Sequence, residues 1–338
     1  MAVSRRVLVV DYRSGKFLER TREYSEGMPI EIIAPEGKGE NHLLSVAPQA
    51  EAMLCYKDDL PGSVIRAATS LKFIQKHGIN CKNIDLAAAR ERGIPVGTMP
   101  LMRSASVAEQ ALALMLACAR KVIPGHKAVA DAAYLEAGVD PIQTTQWDIN
   151  ANWTKIEGIT ELFGSSIGIV GMGDIGMDIA GRCRAFHMDI FYNQRTPHPK
   201  EIEEMYGATY LPLDDLLSRS DYVVLVIPHT PQTEGIIGAG QLARMKSTAT
   251  LINVGRGGLI DEDALCRALQ NGEIAGAGLD VYRWEPLPHK SPLRELPNVV
   301  FAPHLGGGSY RSWEVDTPAS LNNILRFFQG EKLQGIIR

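Results

Sequence analysis

Ile167-Gly168-Ile169-Val170-Gly171-Met172-Gly173-Asp174-Ile175-Gly176 joins a short, almost uninterrupted apolar run to a GxGxxG turn and then to a stretch of helical character. Three glycines at that spacing mean little alone. Behind an apolar strand and ahead of a helix, they predict a tight turn, close backbone approach to a pyrophosphate, and tight packing of helix on strand. The helix N-terminus adds backbone N–H groups and the positive end of its dipole. The motif lies near the middle of the chain, so about half of the sequence builds something else first.

With 338 residues the chain is too long for one ordinary core and comfortable for two domains. Its net charge of −4 gives no basic excess for nucleic acid or an anionic membrane surface. Cys55, Cys81, Cys118, Cys183 and Cys266 are scattered, and none forms a CxxC pair. Neither a disulfide framework nor a metal site is expected, and a reducing, cytoplasmic compartment is. The apolar segment Val7–Val10 is too short for a signal peptide, and Ala111–Ala119 is far short of a membrane span.

Strand-like runs at Val7–Val10, Ile30–Ala34, Ala52–Tyr56, Leu71–Ile74 and Pro95–Thr98 alternate with helix-like stretches at Leu43–Val46, Gly62–Ala68 and Asn83–Arg92. That alternation predicts βαβ units and a parallel sheet. Ser106 and Glu109 read as a capping box that starts a long helix ending near Pro124-Gly125. Residues 126–160 read as an irregular arm carrying Trp147 and Trp153. A second α/β series follows, with strands at Ile167–Val170, Ile190–Tyr192, Tyr222–Ile227, Thr250–Val254, Gly276–Asp280 and Val299–Ala302. Its helices are expected near 174–186, 213–219, 239–246 and 261–271. An amphipathic helix at Thr317–Phe328 is placed to return to the N-terminal unit.

Three ionisable residues follow strand ends in this second series: Arg256 in Val254-Gly255-Arg256-Gly257-Gly258, Glu285 in Tyr282-Arg283-Trp284-Glu285-Pro286, and His304 in Ala302-Pro303-His304-Leu305-Gly306. A doubly wound sheet holds its ligand beyond the carboxyl ends of its strands. Each residue alone reads as a surface or structural group. Together, behind a dinucleotide motif, they read as a catalytic set. His304 would serve as general acid or base, Glu285 would fix its ring and favour its charged form, and Arg256 would bind a carboxylate and a polarised carbonyl.

With these residues in place, the chain resembles the D-isomer-specific 2-hydroxyacid dehydrogenase family over nearly its full length. The matching segments are Leu71–Asp85, Arg92–Glu109, Ile167–Gly176, Pro228–Gly235, Thr250–Asp263, Gly276–Pro286 and Asn298–Gly306. The resemblance implies an α/β fold with a Rossmann-type doubly wound nucleotide domain, 103–304, inserted into a flavodoxin-like substrate domain, 1–102 plus 305–338. The active site would lie in the cleft between them. It implies a hydride exchange between NAD(P)H and a 2-keto acid; the apolar helix over 106–120 and the arm point separately to a homodimer. Besides the glycine-motif residues Gly171, Gly173, Asp174, Ile175 and Gly176, it implies cofactor contacts at Pro228, Thr233, Val254, Asp280 and Gly306. Substrate contacts are implied at Ile79 and Asn80, besides Arg256; Arg103, with Lys57, reads either as a substrate contact for a second anionic group or as a solvated rim charge.

NAD-binding folds place an acidic residue at the end of the second strand to hold the ribose 2′-hydroxyl. Here that position is Asn193, with Arg195 and Thr196 beyond it, a pair suited to a 2′-phosphate. The segment is similar to that of NADP-preferring glyoxylate and hydroxypyruvate reductases of the family, so NADP is expected, with NAD as the alternative. The chain departs from the family where Asn80 replaces a usual Gly, Lys82 a usual Asp, and Leu101 a usual Gly. Two other functions fit the same residues: a nucleotide-sensing corepressor on this fold, and a short phosphoglycerate dehydrogenase.

Overall fold

The computed structural model describes residues 4–12, 15–307 and 312–337. The chain divides into two compact units, 1–105 with 309–338, and 106–308. The boundaries expected from sequence, 102/103 and 304/305, fall a few residues short of these. The first division lies inside the helix Met102–Ala119, so no loop composition marks it.

The first unit opens with β1 (Arg5–Val9), β2 (Ile30–Ile33), β3 (Ala52–Cys55), β4 (Phe73–Lys76) and β5 (Val96–Gly97). All five run parallel, in the order β5-β4-β3-β1-β2. Successive residues of one strand point to opposite faces. Accordingly Leu8, Met53, Cys55 and Ile74 join one core, and Val7, Val9, Ala52, Leu54 and Phe73 another. A sheet covered on both faces gives continuous apolar strands, which is why the sequence pattern shows them. Each fully buried aliphatic side chain contributes roughly 1.5–3 kcal/mol.

The second unit carries β6 (Ser166–Val170), β7 (Asp189–Asn193), β8 (Ala208–Tyr210), β9 (Tyr222–Leu225), β10 (Thr250–Asn253), β11 (Gly276–Leu279) and β12 (Val299–Phe301). Among the described residues these form one parallel sheet in the order β12-β11-β10-β9-β6-β7-β8. The order reverses between β6 and β9, the switch point where a doubly wound sheet opens a ligand crevice. The chain then returns to the first unit through the helix Ser312–Gln329, and β13 (Ile336–Ile337) pairs antiparallel with β5. Asn323 donates to Gln75 at 2.7 Å, and Ser320 meets His77 Nδ1 at 2.8 Å, tying that helix to β4 and the residue after it.

Several local expectations need correction. Ser106 and Glu109 are not a capping box, because the helix already begins at Met102. Its start is capped from far along the chain: the Asp316 carboxylate accepts the Met102 N–H at 2.7 Å. The helix ends at Ala119. Pro124-Gly125 stands in the first turn of a further helix, Val122–Ala130, which covers part of the segment expected to be irregular. The helix expected over 83–92 is Leu86–Glu91, with Asp85 as its N-cap accepting from Ala88 N–H at 2.9 Å. The helices Gly15–Ser25 and Lys200–Tyr206 and the strand β8 were absent from the sequence reading. Gly15–Ser25 buries only Phe17 and Thr21, and Lys200–Tyr206 buries nothing, so each carries too few apolar residues to stand out in the sequence.

Candidate active site

All five residues of β6 are buried, and the strand runs into Gly171 at φ +105°. A Cβ on Gly171 would stand 2.5 Å from Ile227 Cγ2 and 2.9 Å from the Val226 carbonyl; one on Gly176 would stand 2.1 Å from the Gly171 carbonyl. Only glycine leaves that space, and only glycine takes that φ at no cost. Gly173 is the N-cap of the twelve-residue helix Asp174–Ala185, whose first turn has N–H groups beyond the helix's own ladder. Gly173, Asp174, Ile175 and Gly176 therefore form one cradle of backbone donors at a dipole's positive end, with Gly171 supplying the turn that leads into it, an arrangement that fits a pyrophosphate.

The next strand presents Asn193. Its carbonyl accepts the Gly171 N–H at 2.8 Å, and its Nδ2 donates to the Leu211 carbonyl at 2.8 Å. Arg195 and Thr196 are exposed in the turn beyond. After β9, Thr233 Oγ1 donates to the Pro228 carbonyl at 2.8 Å and accepts the Thr230 N–H at 2.8 Å, closing that turn on itself. Val254 is buried directly after β10.

Three further loops carry the ionisable set. Arg256 follows β10, is exposed, and its Nη1 donates to the Gly255 carbonyl at 2.6 Å. A Cβ on Gly257 would stand 1.8 Å from the Tyr282 carbonyl carbon, so glycine alone lets this loop meet the loop after β11. There Glu285 Oε1 accepts the Tyr282 N–H at 3.1 Å, and its Oε2 meets His304 Nδ1 at 2.7 Å. Burial works against the Glu285 charge. The His304 hydrogen bond, the Tyr282 N–H and the nearby His304 and Arg256 charges outweigh it and hold the carboxyl below its usual range.

His304 takes a left-handed backbone, φ +56°, unusual for a residue with a Cβ. Asp280 holds it there. The Asp280 carbonyl accepts the His304 N–H at 2.8 Å, and the carboxylate oxygens accept Leu305 N–H at 2.8 Å and Gly306 N–H at 2.9 Å. Gln110 Nε2 adds a fourth bond to Asp280 at 3.1 Å. Asp280 is thus 1% exposed and spent on the turn that presents His304. Gln110 and Tyr282 were missed in the sequence; the three-residue step from Tyr282 to Glu285 was the only hint. Also missed were His229 and Glu234, hydrogen-bonded to each other. They line a cavity of about 550 Å³ together with Arg256, Trp284, Glu285 and His304.

Ile79, Asn80 and Arg103 belong to the first unit. Asn80 Oδ1 accepts the Lys82 N–H at 3.1 Å, and Arg103 Nη2 donates to Tyr56 Oη at 2.6 Å. The neighbouring His77 is buried. Burial, helped by the Lys76 and Arg103 charges, pushes it down to about 3. Among the described residues no group of three or more His, Cys, Asp or Glu is placed to hold a metal, and no helix is long and apolar enough to cross a membrane.

Residues 112–306 match the model of the D-isomer specific 2-hydroxyacid dehydrogenase NAD binding domain. The chain is 38% identical to a glyoxylate reductase of Thermococcus onnurineus over 80% of its own length and 78% of that protein's. It is 35% identical to glyoxylate/hydroxypyruvate reductase B of Citrobacter koseri, over 93% and 92%. Among solved structures, it is similar to an NADPH-dependent glyoxylate/hydroxypyruvate reductase of Sinorhizobium meliloti in complex with NADP and malonate. That match has 28% identity and a TM-score of 0.53, covering 98% of this chain and 96% of the other. The order of the strands, the glycine cradle, the His304–Glu285 pair and these likenesses agree: the chain belongs to the D-isomer specific 2-hydroxyacid dehydrogenase family, and residues 112–306 are its NAD-binding domain.

Proposed function

We propose that this chain reduces a short 2-keto acid, glyoxylate or hydroxypyruvate, to the corresponding 2-hydroxy acid, with NADPH as its preferred reductant. The observation that carries the reading is the 2.7 Å contact between His304 Nδ1 and Glu285 in a cavity that also holds Arg256. With Nδ1 committed to the carboxylate, Nε2 is the nitrogen that delivers a proton to the substrate oxygen. The Arg256 guanidinium grips the substrate carboxylate and polarises the carbonyl, so that negative charge growing on its oxygen is met by a fixed cation. When bound, NADPH supplies the hydride that adds to the carbonyl carbon as the C=O π pair moves to oxygen. His304 then gives that oxygen its proton, and in the reverse direction takes it back.

We assign the pyrophosphate to the cradle Gly171–Gly176 and the 2′-phosphate to Arg195 and Thr196. Asn193 offers no carboxylate to bind a 2′-hydroxyl or repel a phosphate, and its amide is already given to Leu211. Pro228, Thr233, Val254 and Gly306 stay with the cofactor in this reading. Asp280 acts by holding the His304 turn. On the first unit, Ile79, Asn80 and Arg103 are assigned to substrate. We also read the protein as a cytoplasmic homodimer. Its five cysteines are free, and the helix Val122–Ala130 buries none of its residues. Leu135, Trp147 and Ile149, beyond that helix, are 70%, 83% and 70% exposed, an apolar surface that a second copy would cover.

The test is steady-state reduction of glyoxylate, hydroxypyruvate, pyruvate and dicarboxylic 2-keto acids with each dinucleotide. Highest kcat/KM for the two short substrates with NADPH is expected. A clear NADH preference overturns the cofactor assignment, and turnover with none of the acids overturns the reaction.

A further inference from the structure

The turn that carries Arg195 and Thr196 is tied to the glycine cradle by one side chain. His198 is buried, and its Nε2 lies 2.6 Å from the carbonyl oxygen of Met172, the residue between the first two glycines of the motif. A carbonyl only accepts, so Nε2 carries the hydrogen. At its other end His198 is fixed by Tyr192: its backbone N–H donates to the Tyr192 hydroxyl at 2.8 Å, and the two rings pack with centroids 5.7 Å apart. That hydroxyl donates in turn to Glu203 Oε1 at 2.7 Å. Burial, together with the Glu203 hydrogen bond, pushes the phenol far above its usual range, so it stays a donor. Pro197 and Pro199 flank His198 and restrict φ on both sides.

The linkage therefore runs from the helix Lys200–Tyr206 through Glu203, Tyr192 and His198 to the cradle. It fixes the distance between the group that would hold a pyrophosphate and the group that would hold a 2′-phosphate. We propose that His198 is a positioning residue for dinucleotide selectivity: its hydrogen bond to Met172 presets the Arg195–Thr196 turn, so that binding a 2′-phosphate costs little ordering. Without the tie, the turn must be ordered at each binding event, and only a ligand that uses the turn bears that cost. The inference rests on the NADP reading above.

Binding of NADP⁺ and NAD⁺ by titration calorimetry, on wild type, His198→Phe and His198→Gln, tests it. Phe keeps the ring against Tyr192 and removes the donor; Gln offers an amide N–H in its place. A lost hydrogen bond of ordinary strength predicts about tenfold weaker NADP⁺ binding in His198→Phe, with less than about twofold change for NAD⁺, and recovery of most of the loss in His198→Gln. An unchanged NADP⁺:NAD⁺ affinity ratio in His198→Phe, whether both ligands weaken together or neither does, overturns the inference whichever dinucleotide the wild type prefers. A wild type that prefers NAD⁺ overturns the cofactor reading instead. Should His198→Phe fail to fold, His198→Leu, which also lacks a donor, decides by the same ratio: a lowered NADP⁺:NAD⁺ ratio supports the tie, and an unchanged one overturns it.

Discussion

His304 does chemistry from a backbone position that most residues avoid. A non-glycine residue in the left-handed region costs roughly 1–2 kcal/mol, and here the Asp280 carbonyl and carboxylate hold the turn in place. His304→Gly is therefore expected to leave the melting temperature unchanged or raise it, while lowering kcat by two to four orders of magnitude, the usual worth of a general acid. Calorimetry beside steady-state kinetics reads both, and near-normal turnover would remove His304 from its assigned role. Glu285 supplies a pH argument. Its carboxyl is held below its ordinary value, so it stays ionised, and keeps its bond to His304, from neutral pH down to about pH 5. Wild-type kcat for reduction should not fall over that range. Glu285→Gln keeps a hydrogen-bond acceptor but loses the charge that strengthens the bond to His304, and should lower kcat throughout the range in which the wild type is active. A variant profile superimposable on the wild type would separate the two residues.

At the scale of elements, Asp221 shows how one loop residue joins two strands. It stands immediately before β9, accepts the Ser166 N–H at 2.9 Å and the Ser166 hydroxyl at 2.7 Å at the start of β6, and pairs with Lys246 at 2.8 Å. Burial opposes its charge, but the Lys246 and Ser166 bonds win and lower its pKa. A lowered folded-state value stabilises above the unfolded value and is lost as pH falls through the folded one. Asp221→Asn should therefore melt earlier than wild type at pH 7, by a gap that narrows as pH falls below about 4; a gap independent of pH would assign the effect to packing. The sequence showed what burial imposes locally. Ile167–Val170 and Leu251–Ile252 are apolar because both sheet faces are covered, and Gly171 and Gly176 leave no room for a side chain. It hid what depends on distant partners. The Met102 start is capped by Asp316, and that cap displaced the apparent Ser106–Glu109 box. No local signal reveals that Leu305, Gly306 and Gln110 meet the Asp280 oxygens. The polar helix Lys200–Tyr206 gave no apolar period, and with it went the Glu203–Tyr192–His198 linkage.

For the whole molecule, the arm beyond the helix Val122–Ala130 carries the prediction about assembly. Light scattering should give twice the chain mass. Replacing Leu135 and Ile149 together with Glu should shift the protein toward the monomer, because burying two unpaired carboxylates in an interface costs several kcal/mol. A wild-type monomer would withdraw the second copy. The helix Met102–Ala119 has a different consequence. The division at 105/106 falls inside this one helix, after its capped first turn. A cut at 105/106 would unwind a turn on one side and expose four uncapped N–H groups on the other. Swapping the nucleotide unit into another scaffold, or permuting the chain at that junction, would have to carry the whole helix and its Asp316 cap along.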